Sequence, residues 1–133
     1  MALTQYNAKD CTIVVNNVFI TGLGEDMVTG EKDEEMFTTS VGAQGDIVMN
    51  ETNNSLGTVT LTIQGTSPQK GMLLDLAKAG TIFPIWVTNS SIGERFGGSK
   101  ARIKNYPSLA QGAELDDREL EIQVFDYDVQ NIA

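Results

Sequence analysis

Residues 57–65, "GTVTLTIQG", alternate without a break. Val59, Leu61 and Ile63 fall on one side, with Thr58, Thr60, Thr62 and Gln64 on the other. A period of two marks a strand with one buried and one wet face, the habit of antiparallel sheets. Residues 118–129, "RELEIQVFDYDV", repeat the pattern, with Leu120, Ile122 and Val124 set against Glu119, Glu121 and Gln123. Strands of this kind need neighbours, and the rest of the chain supplies them.

"CTIVVNNVFIT" predicts a hairpin with arms near Cys11–Val15 and Val18–Thr21, turning on Asn16-Asn17, a dipeptide that tolerates the positive φ of a type I′ turn. "GLGED" (Gly22–Asp26) is read as a turn, "MVTGEKD" as a short strand bent at Gly30, and "EMFTTSVG" as another strand. Residues 42–54 read as a polar excursion, with room for a short strand near Asp46–Asn50. A single helix is expected over 68–79, with Ser67 as N-cap, Pro68 at the first helical position and Gly80 as the stop. Its Met72, Leu73, Leu76 and Ala77 share one face. "IFPIWV" returns to strand, Pro84 marking an edge or a bulge, and "IGERFGGSKARIKNY" predicts a second hairpin around Gly97-Gly98. The whole reads as a single mainly β domain over 1–133: a two-sheet antiparallel β-sandwich or barrel with one flanking α-helix and an N-terminal arm over residues 1–10.

Catalytic chemistry is hard to build from this composition. The chain has no histidine and one cysteine, which removes Ser-His and Cys-His pairs and two-histidine metal sites. Cys11 lies in an apolar run and is read as an inert thiol, and Trp86 is read as core packing. "GLGED" lacks the lysine and the helix of a phosphate loop. "ELDD" (Glu114–Asp117) and "DYD" (Asp126–Asp128) miss the spacing of a calcium loop and are read as solvated. No catalytic residue, no metal site and no cofactor is therefore expected. A net charge of −9 argues against reading nucleic acid sequence, and no apolar run is long enough to span a membrane. The N-terminus reads as lacking a secretion signal.

The order of "VTGEKDEEMFTTSVGAQGDIV", "NNSLGTVTLTIQGTSPQKGMLLDL", "IFPIWV" and "RELEIQVFDYDV" resembles the tail tube proteins of contractile-tailed phages over nearly the whole chain. It departs at Gly30-Glu31-Lys32, where that family is expected to carry a β-branched residue and an arginine. The resemblance implies the fold shared with type VI secretion tubes: hexameric rings whose sheets close around a lumen, stacked into a tube. It also implies a place in the virion tail after synthesis in the bacterial host cytoplasm. The partners it implies are other copies of the chain, the tail sheath, the tape measure and the baseplate proteins, with DNA passing through the lumen without specific binding. A tailocin or secretion tube shares that fold, and a monomeric carbohydrate-binding β-sandwich is the alternative outside it.

On this reading the acidic run has a use. Carboxylates on the wall of a conduit repel phosphate, where lysine and arginine would hold it. In strand geometry Glu31, Asp33 and Glu35 project to one face and are the candidates for the lumen. A solvated outer loop is the alternative. Leu3, Tyr6, Ile47 and Met49 are the candidates for contact between rings. Antiparallel pairing of the last strands is expected to set Lys104 beside Glu119 and Arg102 beside Glu121.

Overall fold

The structure is a computed structural model and describes residues 5–109 and 111–132. Ten strands and one α-helix follow in the order β1 (Cys11–Val15), β2 (Val18–Phe19), β3 (Leu23–Lys32), β4 (Phe37–Val41), β5 (Ile47–Glu51), β6 (Gly57–Ile63), α1 (Lys70–Ala79), β7 (Phe83–Asn89), β8 (Glu94–Ile103), β9 (Arg118–Val124) and β10 (Asp128–Asn131). A 3-10 turn at Ala8–Asp10, capped by the Asn7 side chain, precedes β1.

Every strand pair is antiparallel. Two sheets form, as expected, but unequally: eight strands make one, in the order β2-β1-β7-β8-β9-β6-β3 with β10 also paired to β8, and β4 and β5 make the other. The larger sheet curls back on itself. Gly30 of β3, at one end of the order, lies against the Phe96 ring of β8, three strands away. Core residues accordingly come from both limbs: Ile13 and Val15 (β1), Val59, Leu61 and Ile63 (β6), Ile85 and Val87 (β7), and Leu120, Ile122 and Val124 (β9) share one cluster.

The helix closes this core. Leu73 and Leu76 are buried, with Met72 and Ala77 packed beside them, and Gly80 ends the helix at φ 64°. The helix starts at Lys70 rather than at residue 68, and Ser67 is not its cap. The Ser67 hydroxyl instead donates to the Thr21 carbonyl at 2.6 Å. Gln69 Oε1 accepts from Thr21 N–H at 2.8 Å and from the Thr21 hydroxyl at 3.0 Å. Side chains that could have capped the helix are used to tie it to the β2–β3 connection.

Two further expectations change and two are narrowed. Only Gly22 (φ 67°) of "GLGED" turns; residues 23–26 belong to β3, whose pairing with β6 shifts register between Leu23 and Val28. Gly97-Gly98 is not a hairpin turn. β8 runs straight through it, and the chain reverses at residues 90–93. Gly97 has φ 139°, and a side chain there would collide with the Ile85 carbonyl, so the pair serves close strand approach. Pro84 sits in an internal strand opposite an irregularity in β8, which is the bulge alternative. Residues 42–54 hold the short strand for which there was room, one residue along from 46–50: β5 pairs with β4 from Val41↔Ile47 to Phe37↔Glu51 as a separate two-stranded hairpin.

Candidate assembly surfaces

Two surfaces stand out, one polar and one apolar. The polar one is the outward face of β8-β9-β6-β3. Inward placement of Val59, Leu61, Ile63, Leu120, Ile122 and Val124 forces the alternate residues outward, in cross-strand rows. Thr58 faces Gln123, Thr60 faces Glu121 and Thr62 faces Glu119, while Glu31 and Thr29 of β3 sit opposite Thr58 and Thr60.

Arg102 and Lys104 extend this face, in a register different from the expected one. Arg102 is opposite Gln123, and the Lys104 N–H donates to the Glu121 carbonyl at 2.8 Å, so Lys104 is beside Glu121 rather than Glu119. A slip of two residues keeps every side chain on its own face, so alternation alone cannot choose between such registers.

The candidate lumen carboxylates are not one strand face. β3 ends at Lys32, and Asp33 and Glu34 form a bend. Glu31 reaches the polar face as part of β3. Asp33 is folded onto it: its carboxylate accepts from the Thr58 hydroxyl at 2.6 Å and from the Gln123 amide at 3.0 Å. Those two bonds, Thr58 first, hold its carboxyl below the usual carboxylate range. Glu35 lies past the bend, in a groove with Met36 and Val129.

The apolar surface is the β4–β5 hairpin. Every residue from Glu31 to Glu51 is exposed, so the hairpin projects from the other described residues. Its pairing sets Phe37, Val41, Ile47 and Met49 on one face, exposed by 48%, 66%, 71% and 60%. Ile47 and Met49 are thus together, joined by Phe37 and Val41, which the sequence reading did not single out. Alternation in "FTTSV" was the signal available. Tyr6 is elsewhere, 64% exposed beside Cys11, and Leu3 lies outside the described residues.

The opposite limb of the sheet presents Trp86. It is half-buried on the outer face, not in the core, because Phe83, Ile85 and Val87 take the inward positions of β7. The Arg95 guanidinium stands 4.0 Å from its ring centre. Cys11 is half-buried and its thiol is pushed up by burial, which removes thiolate rather than activating it. Among the described residues, no three of the metal-ligating types gather into a cluster, and no helix is long and apolar enough to cross a membrane.

No protein-family model and no curated protein sequence matches the chain. Solved structures do match it along almost its entire length. One is the cryo-EM structure of the sheath/tube terminator of the extracellular contractile injection system PVC in its extended state. It is 14% identical, covers 98% of this chain and 99% of that one, and gives a TM-score of 0.70. The chain has the fold of contractile injection system components. A chain of the PVC sheath-tube complex in the extended state agrees at a TM-score of 0.65 with 15% identity, over 96% of this chain and 93% of that one. The anti-feeding prophage cap, a tube-terminating cap, agrees at 0.62 with 12% identity, over 98% and 95%. At such identities the likeness is one of fold alone, and the expected mainly β, antiparallel fold is what it bears out.

Proposed function

We propose that the protein is a non-enzymatic structural subunit of the tube of a contractile tail or injection machine, building stacked hexameric rings from its own copies. The observation that carries this reading is the β4–β5 hairpin. Four large apolar residues on a projecting two-stranded ribbon are left open by the described residues, and a lone two-stranded hairpin is marginal in water. A neighbouring copy in the same or the next ring supplies that cover. The contractile-system fold supports the same class.

In this reading the polar face of β8-β9-β6-β3 lines the lumen. Its threonines and carboxylates, with Glu31, Asp33 and Glu35 at its margin, would repel the phosphates of DNA, and its two cations are outnumbered, Lys104 standing beside Glu121 and Asp33. Sheath, tape measure and baseplate proteins are the further partners, and the place is the tail of a virion or of a related particle. The likeness to terminator and cap structures supports a second reading, a ring that ends the tube instead of repeating along it.

Electron microscopy of the concentrated protein tests both. Tubes of varied length support the repeating subunit, and single rings that do not stack support the terminator. A protein that stays monomeric at every concentration reached overturns the assembly reading.

A further inference from the structure

Trp86, the chain's one tryptophan, stands in a short apolar row on the outer face of the limb away from the polar wall. Phe19 of β2 is directly across from Val14 of β1, and Val14 is directly across from Trp86 of β7. Phe19 is 65% exposed, and Val14 and Trp86 are half-buried. β1, β2 and β7 carry no charged residue. Charge enters at the end of the row, on the next strand. Arg95 of β8 pairs with Thr88 and holds its guanidinium 4.0 Å from the Trp86 ring centre. Among the described residues that ring, not a carboxylate, is its partner. Asp128 of β10, the acid of this face, lies across Gly97 and accepts from the Gln130 amide at 3.1 Å. Lys9, in the 3-10 turn leading into β1, adds a second cation to this limb.

The apolar face of the β4–β5 hairpin has the matching pattern. Val41 and Ile47 pair at its tip, Thr39 and Met49 in the middle, and Phe37 and Glu51 at its base, so one carboxylate ends an apolar face. The dimensions agree. Ile47 to Glu51 is four steps of about 3.3 Å, roughly 13 Å, and β2 to β8 is three strand spacings of about 4.8 Å, roughly 14 Å. The charges are complementary as well, because residues 33–51 hold five carboxylates and neither lysine nor arginine. Both surfaces lie open in the same chain, so a contact between them joins two copies. Tryptophan and arginine are the side chains that most often anchor such contacts.

We propose that the Phe19–Val14–Trp86 row is the landing site for the β4–β5 hairpin of a second copy, with Glu51 of the hairpin meeting Arg95. Hairpin and row are different surfaces, so the contact is heterologous and each copy both gives and receives. It names the surface that covers the hairpin in the assembly proposed above, on which it rests. The polar wall takes no part in it.

Trp86 is its own reporter. As the wild type assembles, followed in parallel by sedimentation velocity, its emission should move to shorter wavelength and acrylamide should quench it less. Arg95→Glu and Glu51→Arg should each weaken association about fivefold or more. Both changes in one chain should recover it, because every contact then carries the reversed pair. Circular dichroism of the dilute subunits checks the fold. If Arg95→Glu unfolds the limb, Phe19→Ser, at an exposed position, replaces it and should weaken association likewise. A wild type that assembles while Trp86 stays as open to acrylamide as in the dilute subunit overturns the landing site and leaves assembly through the hairpin standing. So does a double variant that fails to recover, or single variants that associate like the wild type. A wild type that never associates overturns the assembly reading itself, and the landing site with it.

Discussion

Asp33 accepts a 2.6 Å hydrogen bond from the hydroxyl of Thr58, and this contact fixes the bend that carries the chain from the sheet into the projecting hairpin. The same carboxylate takes the Gln123 amide at 3.0 Å, so three segments meet on one exposed acid.

Replacing it should therefore be felt more than at an ordinary surface site. Asp33→Ala should cost about 1 kcal/mol, less than is usual for hydrogen bonds to a charged group because the site is wet. Its folded pKa is depressed, so its contribution is full above the unfolded value and is lost as pH falls through the folded one. Urea midpoints measured from neutral to acid pH should show that loss in the wild type and not in Asp33→Asn. For the same reason, replacing Glu31, Asp33 and Glu35 together with lysine is not neutral for the fold, as a freely projecting acidic run would allow.

Asp126 fastens the irregularity in β8. Its carboxylate accepts from the Ser99 hydroxyl at 2.5 Å, the Ser99 N–H at 3.1 Å and the Lys100 N–H at 3.0 Å. Burial raises its pKa, but these donors more than offset that and leave it lowered. Asp126→Ala should cost about 1 kcal/mol, because three hydrogen bonds to a charged acceptor are lost but the released donors can turn to water. Hydrogen exchange at Ser99 and Lys100 should accelerate more than at Ile85 or Val87.

Gly97→Ala should be worse. Its positive φ and the Ile85 carbonyl leave no room for a side chain, so a loss of more than about 2 kcal/mol in denaturant unfolding is expected. Gly45→Ala is the comparison: it also has positive φ, but open space surrounds it, so only the backbone cost should appear.

The hairpin separates folding from assembly. Ile47→Ser with Met49→Ser should leave the unfolding midpoint unchanged within about 0.5 kcal/mol, because neither side chain is buried in the subunit. Ring or tube yield by electron microscopy should nevertheless collapse. Normal assembly of that variant would remove the hairpin from the interface.

Alternation made the core readable. Val59, Leu61, Ile63, Leu120, Ile122 and Val124 are all buried, and Asn16 and Asn17 turn at φ 50° and 65° as that dipeptide suggests. What stayed hidden depends on partners distant in sequence. The glycine pair at 97–98 has a turn's composition, and only the Ile85 carbonyl across the strand reveals its use. The bend at Asp33 depends on Thr58 and Gln123, the latter 90 residues away.

β8 has a mechanical consequence. It is hydrogen-bonded to β7, β9 and β10, so the limb carrying Trp86 and the limb carrying the polar wall share one covalent backbone. Axial thrust on either limb reaches the other as shear along β8, spread over many bonds at once instead of opening them one by one. The subunit should therefore behave under load as a stiff stave rather than a hinged pair of plates.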